Sequence, residues 1–155
     1  LHWRGVLAGC SAQTPTPRGR NEIDMRVRLP TTIADSRIAD LLEAATCGYW
    51  VEDLTARFPD SGAAEAENYM LDEYPDWVVA ALTEHSKALV ALPYDLTPGV
   101  DGICSRYILD RAKIAAGLAL LAETPHWGDF MDESEDSTTG DVFLQLCLFG
   151  EVVFG

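Results

Sequence analysis

The last eighteen residues, TTGDVFLQLCLFGEVVFG (138–155), constrain the fold more than any other stretch. Val142, Phe143, Leu144, Leu146, Leu148 and Phe149 leave almost no polar side on a run of helical length, so the rest of the chain has to wrap around it. The run is about half a bilayer span, which makes burial in a protein core its expected fate. Gly150 is placed to end this helix, and Thr138 or Thr139 to cap it, with Asp141 in the first turn complementing the helix dipole. A chain of 155 residues that is 48% hydrophobic can supply such a core, since about this length buries roughly two-thirds of its unfolded surface.

The expected organisation is one globular domain over 25–155 behind a leader. Residues 1–24, LHWRGVLAGCSAQTPTPRGRNEID, are rich in Thr, Pro, Arg and Gly and show neither helical nor strand periodicity, as expected of a disordered leader or an upstream-translated segment. Leu7-Ala8-Gly9-Cys10 matches a lipobox, which keeps a lipoprotein anchored at Cys10 as an alternative to a cytoplasmic protein. His2, Trp3, Arg4 and Gly5 stand where the apolar part of an export signal belongs, and they weigh against it. Met25 is the better start, opening the strand-like MRVRLP.

Within the domain, Asp35 or Ser36 is placed to cap a helix over about 35–47, with Ile38, Leu41, Leu42 and Ala45 on one face and Gly48 after it. Tyr49-Trp50-Val51 predicts a short strand, AAEAENYMLDEY a short helix, and WVVAAL and ALVALPY a hairpin around TEHSK. ICSRYIL predicts another strand. Asp110 then caps the best-defined helix, RAKIAAGLALLAE, which Thr124-Pro125 stops, and WGDFMD adds a turn. Interspersed elements of this kind give an α+β fold, a small antiparallel sheet with two to three helices packed on one face.

Charge narrows the function. Lys and Arg number 11 against 25 Asp and Glu, a formal net of -14, and removing the leader leaves 8 against 23, so the acidity belongs to the domain. Such a surface repels nucleic acid and anionic membranes and suits basic proteins or cations. Four separated cysteines, Cys10, Cys47, Cys104 and Cys147, form no CxxC pair and fit reduced thiols.

No site motif survives a test of its register. With Asp132, Ser134 and Asp136 as the first ligands of an EF-hand, the required Gly falls on Ser137 and the required Glu on Phe143. His126 stands near Asp129 without a nucleophile or an orienting group, and GxSxG, GxGxxG and the phosphate-binding GxxxxGK[ST] do not occur. No catalytic residue, metal ligand or cofactor is therefore assigned. The acidic block 132–136 is expected to be a solvated loop. Candidate binding residues are the aromatics Tyr49 and Trp50, suited to anchoring a protein partner, and the carboxylates Asp132, Glu133, Glu135 and Asp136. Tyr69, Tyr74 and Trp77 are further aromatics amid acid.

RIADLLEAA and CGYW within 37–50, LDRAKIAAGLALLAE (109–123) and TTGDVFLQLCLFGEVVFG (138–155) together resemble a family of small, conserved, uncharacterised proteins of bacteriophages and prophages. The resemblance starts at about Met25; residues 52–100 depart from it, and the Gly-rich link expected before Tyr49 is shortened to Cys47-Gly48. It implies phage origin and a setting in the host cytoplasm, and no particular reaction. The expectation is a non-enzymatic accessory protein that binds a host or phage protein, basic or DNA-binding, through its acidic surface, in an anti-defence or regulatory role. The alternatives are a small hydrolase, metal-dependent or acid–base, using Asp129, Asp136, Asp141 and His126, and a phage assembly component.

Overall fold

The computed structural model describes residues 32–45, 48–59, 71–93, 96 and 106–155, and Ile33–Gly155 form one compact unit. The expected leader, the strand-like stretch after Met25 and most of AAEAENYMLDEY lie outside the described residues. The order of elements is α1 (Asp35–Ala44), β1 (Asp53–Arg57), α2 (Asp76–Leu82), β2 (Lys87–Ala91), β3 (Arg106–Leu109), α3 (Arg111–Leu121), α4 (His126–Met131) and α5 (Ser137–Phe149). The fold is α+β, with five helices among the described residues where two to three were expected.

The sheet is antiparallel in the order β1-β2-β3. Its register pairs Leu54 with Val90 and Val90 with Tyr107, and Ala56 with Ala88 and Ala88 with Leu109, so these six side chains share one face. Ala88, Val90 and Leu109 on that face are fully buried in the same core as Trp77, Val78, Ala81 and Leu82 of α2 and Phe143 and Leu144 of α5. The opposite face carries Thr55, Leu89 and the exposed Ile108.

α5 is the central helix, in contact with α1, α3, α4 and β3. As the apolar run requires, Phe143, Leu144, Leu146, Cys147 and Leu148 are all buried, and Gly150 ends the helix in the left-handed region at φ 74°. Two glycines let its neighbours come close. A β-carbon on Gly140 would lie 2.8 Å from the Leu41 carbonyl oxygen and the Ala45 nitrogen of the α1 segment, and one on Gly117 of α3 would overlap the Cys147 sulfur.

Several expectations need correction. WVVAAL is helix α2, not a strand, so no hairpin forms around TEHSK and that segment turns from helix to β2. A short apolar run carries no decisive period; here Pro75 just before the helix, Asp76 in its first turn and two alanines favour helix. Tyr49 and Trp50 lie in a turn, and the strand begins only at Asp53. α1 starts one residue earlier in role than expected, with Ala34 at the cap and Asp35 in the first turn, and its described part ends at Ala45. α5 is capped by Asp136, whose Oδ1 accepts from the Thr139 N–H at 3.0 Å, not by Thr138 or Thr139. Asp141 therefore falls beyond the first turn. α3 matches its prediction, including the Asp110 cap on the Lys113 N–H at 2.9 Å.

Candidate binding site

The chain reverses at Gly150 and runs back along α5 as residues 151–155, which contain no helix or strand. One side chain makes three hydrogen bonds to this strap. Gln145, fully buried, accepts the N–H groups of Val153 (2.8 Å) and Phe154 (2.7 Å) on Oε1, and donates from Nε2 to the Phe154 carbonyl (2.9 Å) and to Asp141 Oδ2 (2.8 Å). The amide thus acts as an extra peptide group inserted between helix and strap, with both of its ends satisfied as burial demands.

Asp141 continues the network. Its Oδ1 accepts the indole N–H of Trp50 at 2.5 Å, tying the 48–50 turn to α5. The Trp50 ring is 1% exposed, stacks on Phe154 at 5.5 Å and 16°, and tilts against Phe149 at 5.8 Å. Phe149 meets Tyr107 of β3 edge-on at 5.0 Å, so the aromatic cluster also joins the sheet. Tyr49, by contrast, is 66% exposed, with its hydroxyl donating to the Gly155 carbonyl at 3.4 Å and its ring edge-on to Phe154. Beside them opens a cleft of about 320 Å³ lined by Tyr49, Trp50, Asp141 and the Ser137 and Thr138 start of α5.

The acidic block divides by role. Glu135 is a half-buried partner of Arg37: the guanidinium donates to Oε1 at 2.5 Å and Oε2 at 3.2 Å, donates to the Phe130 carbonyl at 2.5 Å, and sits 4.9 Å from the Phe130 ring centre. Burial alone pushes the Glu135 carboxyl up; the Arg37 hydrogen bond, its own backbone N–H and the Arg37 charge outweigh that, leaving it below the usual carboxylate range. Glu135 in turn raises the Arg37 pKa, against the desolvation that lowers it. Asp136 is held below its ordinary value by the Thr139 backbone N–H. Asp132 and Glu133 are exposed, Glu133 with a left-handed backbone at φ 57°. The block is thus a solvated loop at Asp132 and Glu133 and a structural junction at Glu135 and Asp136.

No family model, no curated protein and no solved structure matches the chain. The site's chemistry rests on the geometry alone. Of the residues expected to bind, the structure sets Tyr49 at the mouth of the cleft, buries Trp50 in its wall, commits Glu135 and Asp136 to holding helices together, and leaves Asp132 and Glu133 in solvent. For the hydrolase alternative, His126 and Asp129 lie on α4, Asp136 caps α5 and Asp141 is bound to Trp50 and Gln145. Among the described residues no three His, Cys, Asp or Glu side chains are grouped to hold a metal ion. Cys147 is buried, which raises its thiol pKa and keeps it protonated.

The sequence alone had not singled out Gln145, and it had set Asp141 in the first turn of the helix rather than between Trp50 and Gln145. The signal was there: one amide in the apolar run VFLQLCLF must find partners wherever the run is buried.

Proposed function

We propose that this chain is a non-enzymatic phage or prophage accessory protein that binds a basic protein of the host cytoplasm, with its acidic surface as the attracting field and Tyr49 as an anchor. One observation carries the reading. Among the described residues fourteen carboxylates are exposed against five cationic side chains, and Arg37, the remaining cation, is taken up by Glu135. An excess of that size steers a basic partner and repels nucleic acid. Tyr49 adds a rigid aromatic of the kind that concentrates binding energy at interfaces. The absence of a helix long and apolar enough to cross a membrane, among the described residues, is compatible with this setting.

The test is capture of host proteins on the immobilised chain, followed by affinity measurement of each purified captured protein across a salt series. A basic partner is expected, with affinity falling steeply as salt rises and Tyr49→Ala weakening it by about tenfold, or roughly 1.4 kcal/mol. Partners bound with no dependence on salt, or no partner at all, would refute the electrostatic reading.

A further inference from the structure

The cleft beside Tyr49 has an anionic wall. Asp141 lines it half-buried, and both carboxylate oxygens are held by neutral donors, Oδ1 by the Trp50 indole at 2.5 Å and Oδ2 by the Gln145 amide at 2.8 Å. The close contacts between basic and acidic side chains among the described residues join Arg37 to Glu135, His85 to Glu84 and Arg111 to Asp35, and none of them reaches Asp141. Its charge is therefore unneutralised. A carboxylate has about four lone-pair sites, so two bonds leave it able to accept two more. Gly48, which also lines the cleft, keeps one side of it clear: a β-carbon there would lie 2.8 Å from Asp141 Oδ1 and 2.8 Å from Trp50 Nε1.

The rest of the lining suits a cation as well. Tyr49 brings a ring that is 66% exposed, and an aromatic face attracts a cation through its quadrupole. Ser137 and Thr138, both exposed, and the Gly155 carbonyl that accepts from Tyr49 add neutral acceptors. α5 begins here too, with the positive end of its dipole. That end is already taken, because the Asp136 carboxylate accepts the N–H groups of Thr138 and Thr139 and sets a full negative charge on the helix start. At about 320 Å³ the cleft lies at the small end of ligand pockets, a space for one side chain rather than for an element of structure.

We propose, on the reading that the partner is basic, that this cleft receives one cationic side chain of that partner, an arginine or a lysine, with the Asp141 carboxylate as its charge partner and the Tyr49 ring against its stem or head. The pairing supplies what a diffuse acidic field cannot, a fixed point of docking. The long apolar stem of either side chain can lie along the Tyr49 ring while its head reaches the carboxylate, and a guanidinium can stack on the ring as well. Asp141 is itself held in place from two sides, so little ordering is left for the bound state.

The experiment titrates the full chain with three blocked peptides at matched ionic strength, acetyl-Gly-Arg-Gly-amide, acetyl-Gly-Lys-Gly-amide and the neutral acetyl-Gly-citrulline-Gly-amide, and follows NMR shifts of the Trp50 indole N–H and the Tyr49 amide. Saturable shifts at both are expected with a cationic peptide and not with citrulline; the tighter of the two cationic peptides identifies the side chain. Thr138 is exposed at the cleft wall, so its variants change the charge there without touching the core. Thr138→Glu should tighten binding by about threefold and Thr138→Lys weaken it by about as much, the reverse of what an anion site would show. Tyr49→Leu should weaken it by about threefold through loss of the ring. Asp132→Asn with Glu133→Gln, outside the cleft, should leave peptide affinity level. Equal binding of the citrulline peptide, the opposite signs at Thr138, or as large a loss from the 132–133 pair as from Tyr49→Leu would overturn the cleft assignment and leave the basic-partner reading standing. The expected peptide results beside a failure to capture any host protein would instead remove that reading and keep the cleft's preference for a cation.

Discussion

Replacing Gly140 by alanine sets two effects of opposite sign against each other. Gly140 lies inside α5, where helix propensity alone favours alanine by about 1 kcal/mol. The new β-carbon, however, would meet Leu41 O and Ala45 N at 2.8 Å and Ala44 C at 2.9 Å, all backbone atoms of the α1 segment. Backbone cannot swing aside as a side chain can, so α1 must move off α5 by several tenths of an ångström, loosening the packing of Leu41 and Leu42. Overpacking of this kind costs up to about 3 kcal/mol, and the net expectation is a loss of about 2 kcal/mol. With a urea m-value of about 2 kcal/mol/M, the unfolding midpoint should fall by about 1 M with the slope unchanged. Gly128→Ala is the matched control, because a β-carbon there meets nothing within 4 Å. It should leave the midpoint level or raise it. A midpoint raised by Gly140→Ala as well would show that propensity dominates and that α1 and α5 are not in backbone contact.

Gln145→Leu keeps the bulk and removes the three bonds that Gln145 makes to the strap; a loss of about 2–3 kcal/mol is expected, with faster carboxypeptidase trimming of residues 152–155. Because the Glu135 carboxyl titrates lower in the folded protein than its ordinary 4.5, its stabilisation is complete above that value and is lost as pH falls through the depressed one. Glu135→Gln should therefore lower the unfolding free energy at pH 7 by about 1–3 kcal/mol, seen as a lower urea midpoint, and flatten the decline of that midpoint in acid. Tyr74, whose hydroxyl donates to Asp40 at 2.5 Å, is pushed up to about 12 by that bond first and by burial and nearby carboxylates after it. Ultraviolet titration should show one tyrosine ionising near there, absent in Tyr74→Phe, and the stability its phenol contributes should persist to pH 10 and vanish as pH passes its folded value.

The parts of the fold legible in the sequence were those where several local signals agreed. α3 carried a cap, a helical period and a proline stop, and α5 an apolar run closed by glycine, and both lie where those signals put them. α2 was misread because WVVAAL is buried at Trp77, Val78, Ala80, Ala81 and Leu82, and near-continuous burial erases the difference between a period of two and one of 3.6. β1 was missed for the opposite reason: DLTAR is a short edge strand with one large apolar residue, held by its pairing with β2. The site was legible only in part. Tyr49 and Trp50 are neighbours in sequence with opposite exposures, and what separates them is the Trp50 bond to Asp141, a contact across 91 positions of chain.

The Gln145 clamp also decides how the end of the chain should breathe. Val153 and Phe154 belong to no helix or strand, yet their N–H groups are bound to a carbonyl buried inside α5. Those two amide protons can exchange with solvent only when the strap lifts or α5 itself opens. In a deuterium-exchange map the last residues should accordingly follow the protection of the central helix, while the amides of Glu151 and Val152, bound to no described acceptor, exchange at once. A segment that looks like a frayed tail would thereby report on the integrity of the core.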